Sequence, residues 1–158
     1  MDTNEKMKEA ISPDLKLNFI AYDELFFRRL GLEETDKEFE ITQFDLQTYK
    51  LTDLNIYSER FIRLIFKGIK QGEYKVAVTI TGYFTILKNE ESLKDNEIKD
   101  LSNRLEKCAA NILLPYLRQQ VTHLTTQPYM KPLVLPIYNI NNFVSKINIK
   151  DMDNTEEK

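Results

Sequence analysis

The chain has 158 residues, 42% of them hydrophobic, with a formal net charge of −3 and a pI near 5.3. That length buries a core without staples, and the acidic balance excludes nonspecific nucleic-acid binding as a main role, since that needs a basic face to displace counterions. The single cysteine, Cys108, allows no intrachain disulfide and points to a reducing, cytoplasmic setting, and no apolar run approaches the ~20 residues that span a bilayer.

Residues 1–14 are mixed in charge and end in Ser12-Pro13-Asp14, which reads as a flexible N-terminal tail turning into the fold. From Leu15 the pattern becomes that of a long, half-buried strand. Leu15, Leu17, Phe19, Ala21, Leu25 and Phe27 share one parity, and Lys16, Asn18, Glu24 and Arg28 the other. Asp23 interrupts the apolar face and Phe26 the polar one, the mark of a bulge or bend. An acidic connection, Gly31 to Glu38, leads to a second strand from Phe39 to Lys50. There Phe39 and Ile41 take one parity and Phe44 and Leu46 the other, so a second bulge is expected near Thr42-Gln43. A third strand, Tyr57 to Ile69, and a fourth, Tyr74 to Leu87, flank the turn Lys70-Gln71-Gly72-Glu73 and form a hairpin. In the fourth, Tyr74, Val76, Val78, Ile80, Phe84 and Ile86 alternate with polar or small residues. Gly82 marks a bulge or a close approach.

Ser92 is a plausible N-cap for the helix that follows, with Asp95 in the capping-box position. Ile98, Leu101, Leu105, Cys108 and Ile112 form a narrow stripe at three-four spacing, and the helical pattern runs to about Gln127. Within it, Pro115 cannot donate to residue 111, so the helix is expected to be broken or kinked there. Prolines 128, 132 and 136 then hold Tyr129 to Tyr138 extended. Ile140, Phe143, Val144 and Ile147 give a short amphipathic helix over 139–149, and 150–158 is a charged tail. The expected class is α+β: a four-stranded antiparallel sheet with a long broken helix and a short C-terminal helix on one face.

Catalytic chemistry is hard to assemble. His123 is the only histidine and has no second His or Cys at ligand spacing, so no metal site is expected. Cys108 lies on the apolar stripe and reads as a buried structural thiol rather than a nucleophile, which would need a base beside it, and glycine-rich phosphate loops are absent. The chain is therefore read as no enzyme and as needing no cofactor. It does hold apolar material beyond a simple core: Tyr129, Met130, Leu133, Val134, Leu135, Ile137 and Tyr138 sit in the proline-stiffened segment. Either that segment packs down between sheet and helix, or it walls an apolar groove together with the short helix and the Phe39 region.

The run Asn111-Ile112-Leu113-Leu114-Pro115-Tyr116-Leu117-Arg118 bears on that choice. After it come Val121-Thr122, Tyr129-Met130-Lys131-Pro132 and Leu135-Pro136-Ile137-Tyr138-Asn139. This constellation resembles the helix and post-helix loop of the bacterial export chaperone SecB, and the order of elements from Leu15 to Ile149 agrees with it. Two features depart from the family: Pro128 stands where a glycine usually follows the helix, and the prolines sit about one residue off the family spacing. The resemblance implies an ATP-independent holdase that keeps unfolded or pre-secretory polypeptides translocation- or folding-competent in a groove built from Phe39, Tyr129, Met130, Leu133, Leu135, Ile137, Phe143 and Ile147. It implies a homotetramer, a dimer of dimers joined through Ile98, Leu101, Leu105, Cys108 and Ile112. The family docks on the motor SecA through acidic positions that correspond here to Glu24, Arg28 and Ala77. With one cation and one neutral residue among them, weak or absent SecA binding is expected. The alternative is a module devoted to one partner, such as an antitoxin or a mobile-element product.

Overall fold

The computed structural model describes residues 15–50, 59–86, 95–136 and 148–152. Four long strands, β1 (Leu15–Arg29), β2 (Phe39–Lys50), β3 (Glu59–Lys70) and β4 (Tyr74–Ile86), precede helix α1 (Asp95–Thr125) and a short strand β5 (Asn148–Met152). They form one sheet of order β1-β4-β3-β2-β5, antiparallel throughout except that β5 lies parallel to β2.

Strand faces follow the alternation of apolar and polar residues once the bulges are counted. The shift between Ile41 and Gln43 brings Phe39, Ile41, Phe44 and Leu46 onto one face, as the parity switch predicts. In β1 the expected irregularity falls between Tyr22 and Glu24, and a second lies between Leu17 and Phe19. The second was not signalled by the alternation: it turns Phe19 and Ala21 away from the helix and brings Ile20 toward it, opposite Gly82. Asn18, beside this bulge, donates its amide to Thr85 Oγ1 at 2.8 Å.

The core lies between the sheet and α1. Leu46, Ile62, Leu64, Phe66, Val76, Val78, Ile80 and Phe84 from the strands meet Leu105, Ala109, Ala110, Leu113, Leu117 and Val121 from the helix. Each large side chain among them contributes roughly 1.5–3 kcal/mol by leaving water. The helix packs mainly on β4, with β1 and β3 beside it.

Three expectations need correction. The helix is continuous over 31 residues, with Pro115 inside it rather than at a break. Both Pro115 and Asn111 are exposed, so the carbonyl of Asn111, which loses its donor, lies on the solvent side of the helix. The sheet gains β5, so Asn148 and Ile149 are strand where a helix was expected, and residues 150–152 are not tail. The rest of the expected short helix, 137–147, lies outside the described residues, as does Ser92.

Gly82 gives room on β4 for Phe84 and for Leu113 of the covering helix. A Cβ there would overlap the Phe84 ring and lie 3.0 Å from Leu113 Cδ2. Gly82→Val is expected to lower stability by about 1–3 kcal/mol through overpacking. Urea denaturation of the two proteins measures the loss.

Candidate functional site

Because α1 centres on β4, β2 lies at the margin of its footprint. The inner face of β2 is aromatic: Phe39 stacks at 6.0 Å on both Phe66 and Tyr74, and Phe44 meets Phe66 edge-on at 5.4 Å. The Phe39 ring lies directly over Gly68, where any Cβ would strike it. Phe39 and Phe44 are half-buried and Ile41 is 43% exposed, so the cluster is closed underneath and open above. Burial pushes the Tyr74 phenol up to about 12, with the neighbouring Glu73 charge adding to the shift, so the ring stays neutral.

After Thr125 the chain doubles back along the helix and is held there by side chains. The Thr125 hydroxyl donates to Val121 O at 2.8 Å and accepts the Leu133 N–H at 2.8 Å. Thr122 Oγ1 donates to Leu133 O at 3.1 Å, and Arg118 Nε donates to Leu135 O at 3.0 Å. The prolines leave this segment without a strand or helix ladder, and these bonds stand in for one. At its tip the Met130 N–H donates to Gln127 O at 3.3 Å across Pro128 and Tyr129. Proline second and a positive φ third are the signature of a type II turn, whose third position favours glycine. Here it is Tyr129, at φ 64°, with the ring 94% exposed.

The connection between β1 and β2 buttresses this tip. Arg29 Nη2 donates to Pro128 O at 2.6 Å, and Lys131 pairs with Glu34 at 3.6 Å. Arg29, Leu32, Glu34, Tyr129 and Met130 line one shallow depression. The connection is tied down by Glu73, whose Oε2 accepts from the Thr35 N–H at 3.2 Å and hydroxyl at 2.8 Å and pairs with Lys70 at 2.6 Å. Burial acts to raise the Glu73 pKa, but the bonds from Lys70 and Thr35 outweigh it and hold the carboxyl below its ordinary value.

The expected groove residues therefore divide. Phe39, Met130 and Leu133 are half-buried beside the core, Tyr129 projects into solvent, and Leu135 is 3% exposed and part of the core itself. Ile137, Phe143 and Ile147 lie outside the described residues. Ile41 and Val134, the latter 63% exposed, belong with the open set; both stood in apolar stretches already singled out. The helix stripe divides too. Leu105 is buried in its own chain's core and Ile112 is half-buried, while Cys108, expected to be a buried thiol, is exposed, as is Tyr116; Ile98 and Leu101 lie on the same helix. Glu24 and Arg28 are exposed on the outer face of the sheet, whereas Ala77 between its neighbours is 7% exposed. Among the described residues no three His, Cys, Asp or Glu side chains could hold a metal ion, and no helix is long and apolar enough to cross a membrane.

Four long antiparallel strands with one long helix on one face, among the described residues, are consistent with a SecB-like fold. The chain is similar to the solved SecB-like chaperone of Mycobacterium tuberculosis in complex with a ChAD peptide from the HigA1 antitoxin. The two share 15% identity and a TM-score of 0.62 over 87% of this chain and 100% of that one. A protein of unknown function from Streptococcus agalactiae aligns at 15% identity and a TM-score of 0.42, over 78% of this chain and 97% of that one. No family model matches the sequence, and neither does any curated protein.

The Glu73 anchor sets a pH dependence. Its folded carboxyl takes up a proton at lower pH than the unfolded one, for which 4.5 is ordinary. The stabilisation is therefore full above about pH 5 and is lost as pH falls through the folded value. Glu73→Gln is expected to cost about 1–2 kcal/mol at neutral pH and to flatten the acid limb of stability against pH. Thermal denaturation of both proteins from about pH 7 down to 3 checks it.

Proposed function

We propose that the chain is an ATP-independent chaperone that holds non-native polypeptide against the inner margin of β2 and the segment 127–136. The observation that carries this is Tyr129. Its ring is almost wholly exposed and so gains little from burial, yet it occupies a backbone conformation that costs a non-glycine residue about 1–2 kcal/mol. A contact outside the chain would account for a residue that costs stability at its own position. Ile41, Val134 and the half-buried Phe39, Phe44, Met130 and Leu133 are the further apolar side chains of these two stretches, and aromatic and methionine side chains suit clients of varied sequence. Phe143 and Ile147 are proposed to continue it. Binding rests on these side chains, and we assign the chain no catalytic role and a cytoplasmic setting.

A second reading, devotion to a single partner, has its own support. The similar mycobacterial chaperone is bound to a peptide of an antitoxin. Arg28 and the buried Ala77 also disfavour SecA at the outer face, which weakens the case for a role in export.

The assembly proposed is a dimer of dimers joined through the outer side of α1, at Cys108, Ile112 and Tyr116, with Ile98 and Leu101 toward its start. Leu105 supports that side from within its own chain. β1 is an edge strand with exposed Tyr22, Leu25 and Phe26, the kind of edge a second protomer relieves.

Tyr129→Gly is expected to leave thermal stability unchanged or raised while weakening client capture several-fold. Light scattering of three unrelated denatured proteins, followed with and without the chaperone, measures capture. Suppression of all three supports a general holdase, suppression of one a dedicated module, and equal activity of the variant removes Tyr129 from the site. Tyr116→Arg is expected to yield a smaller species with native circular dichroism, because a charge would enter an apolar contact. Sedimentation velocity at micromolar concentration distinguishes it from the tetramer.

A further inference from the structure

The face of the sheet turned away from α1 carries two features at opposite ends. At one end Tyr49, Phe61, Tyr83 and Phe19 lie side by side across β2, β3, β4 and β1. Phe19 stacks on Tyr83 at 4.2 Å, Phe61 meets Tyr83 edge-on at 4.4 Å, and the Arg63 guanidinium covers Tyr49 at 5.2 Å. Along this row opens a concavity of about 230 Å³ lined by Asn18, Phe19, Phe61, Tyr83 and Phe84. Phe19 is 58% exposed at its rim.

At the other end Arg28 and Lys75 are directly paired across β1 and β4, and Lys67 lies one row further on, opposite Ala77. Like charges set opposite each other destabilise a sheet. None of the three has a hydrogen bond or ion pair among the described residues, whereas Arg63 of the same face is paired with Asp23 at 3.4 Å. The cationic group brackets Phe26, which is 42% exposed, and is bounded by Glu24 and Glu40. Eight strand residues separate Lys75 from Tyr83, about 26 Å of extended chain.

We propose that this face is a second docking surface, separate from the inner-face site, and that it takes an extended acidic segment of a partner polypeptide. The partner's carboxylates sit on Arg28, Lys75 and Lys67, and a bulky apolar side chain about eight residues away enters the concavity beside Phe19 and Phe61. Charge complementarity selects the partner: an anion relieves the Arg28–Lys75 repulsion, and the apolar cavity accepts what a polyphosphate backbone does not offer. A nucleic acid is disfavoured further because its phosphates would run on past the cations to Glu24 and Glu40. The proposal does not depend on the holdase reading.

The test is a fluorescence-anisotropy titration of the full chain with a labelled peptide carrying a run of glutamates, a Gly/Ser spacer of about six residues and a Phe-Leu pair. Binding is expected that weakens about tenfold with Lys75→Glu, several-fold with Phe19→Ser, and steadily as salt rises from about 50 to 300 mM. Lys75 is exposed, so its replacement leaves the fold intact, and Lys75→Glu should capture denatured clients as the parent does. The proposal is overturned if the peptide does not bind, if a lysine-run peptide binds as tightly, or if Lys75→Glu is without effect. It is overturned equally if a single-stranded oligonucleotide binds more tightly than the peptide.

Discussion

A helix about 10 Å across cannot cover a sheet whose five strands spread over about 19 Å. Where α1 lies therefore decides which part of the inner face it seals. Centred on β4, where Gly82 admits Leu113, α1 seals the middle of the inner face and leaves both margins thinly covered. Beside the helix the chain supplies a partial second cover, the segment after Thr125, pinned by hydroxyl and guanidinium groups rather than by a ladder. On the β1 side Tyr22 and Leu25 stay exposed although they belong to the inner face. Exposed apolar surface of this kind is what the proposed client binding draws on.

Much of this architecture was legible in the residues. The parity switch at Thr42-Gln43 and the intrusion of Asp23 announced two bulges, and the alternation in β4 fixed its two faces without ambiguity. What stayed hidden depends on partners. The bulge between Leu17 and Phe19 breaks no pattern of its own, because Phe19 is apolar on whichever face it lands; only pairing with β4 decides. Pro115 reads locally as a break, yet the buried Leu113, Leu114 and Leu117 around it keep the helix whole. By spacing alone Leu105, Cys108 and Ile112 make one stripe, while the core face runs from Leu105 through Ala109, Ala110, Leu113 and Val121, where alanines give only a weak hydrophobic signal. β5 is five residues of mixed polarity with no alternation to read.

The site was half visible for a related reason. Proline spacing shows that 127–136 cannot be regular, and composition shows that it is apolar, but neither tells which side chains go down and which go up. Leu135 went down and Val134 up, as neighbours on an extended chain must. The groups that decide this are polar: Thr122, Thr125 and Arg118 along the helix, and Glu73 beneath the adjoining connection. None of them belongs to an apolar pattern, so periodicity passes over them.

The pairing of β1 with β4 also sets an order of events at the ribosome. Leu15 must wait for Ile86, and Arg29 for Tyr74, while β3 and β4 are joined by a turn and can meet at once. At about 5–20 residues per second, β1 emerges several seconds before the strand it needs. Through that interval Phe19, Leu25, Phe26 and Phe27 are displayed on an unpaired chain. This protein therefore passes its own synthesis in the state from which, on the reading above, it later shields others.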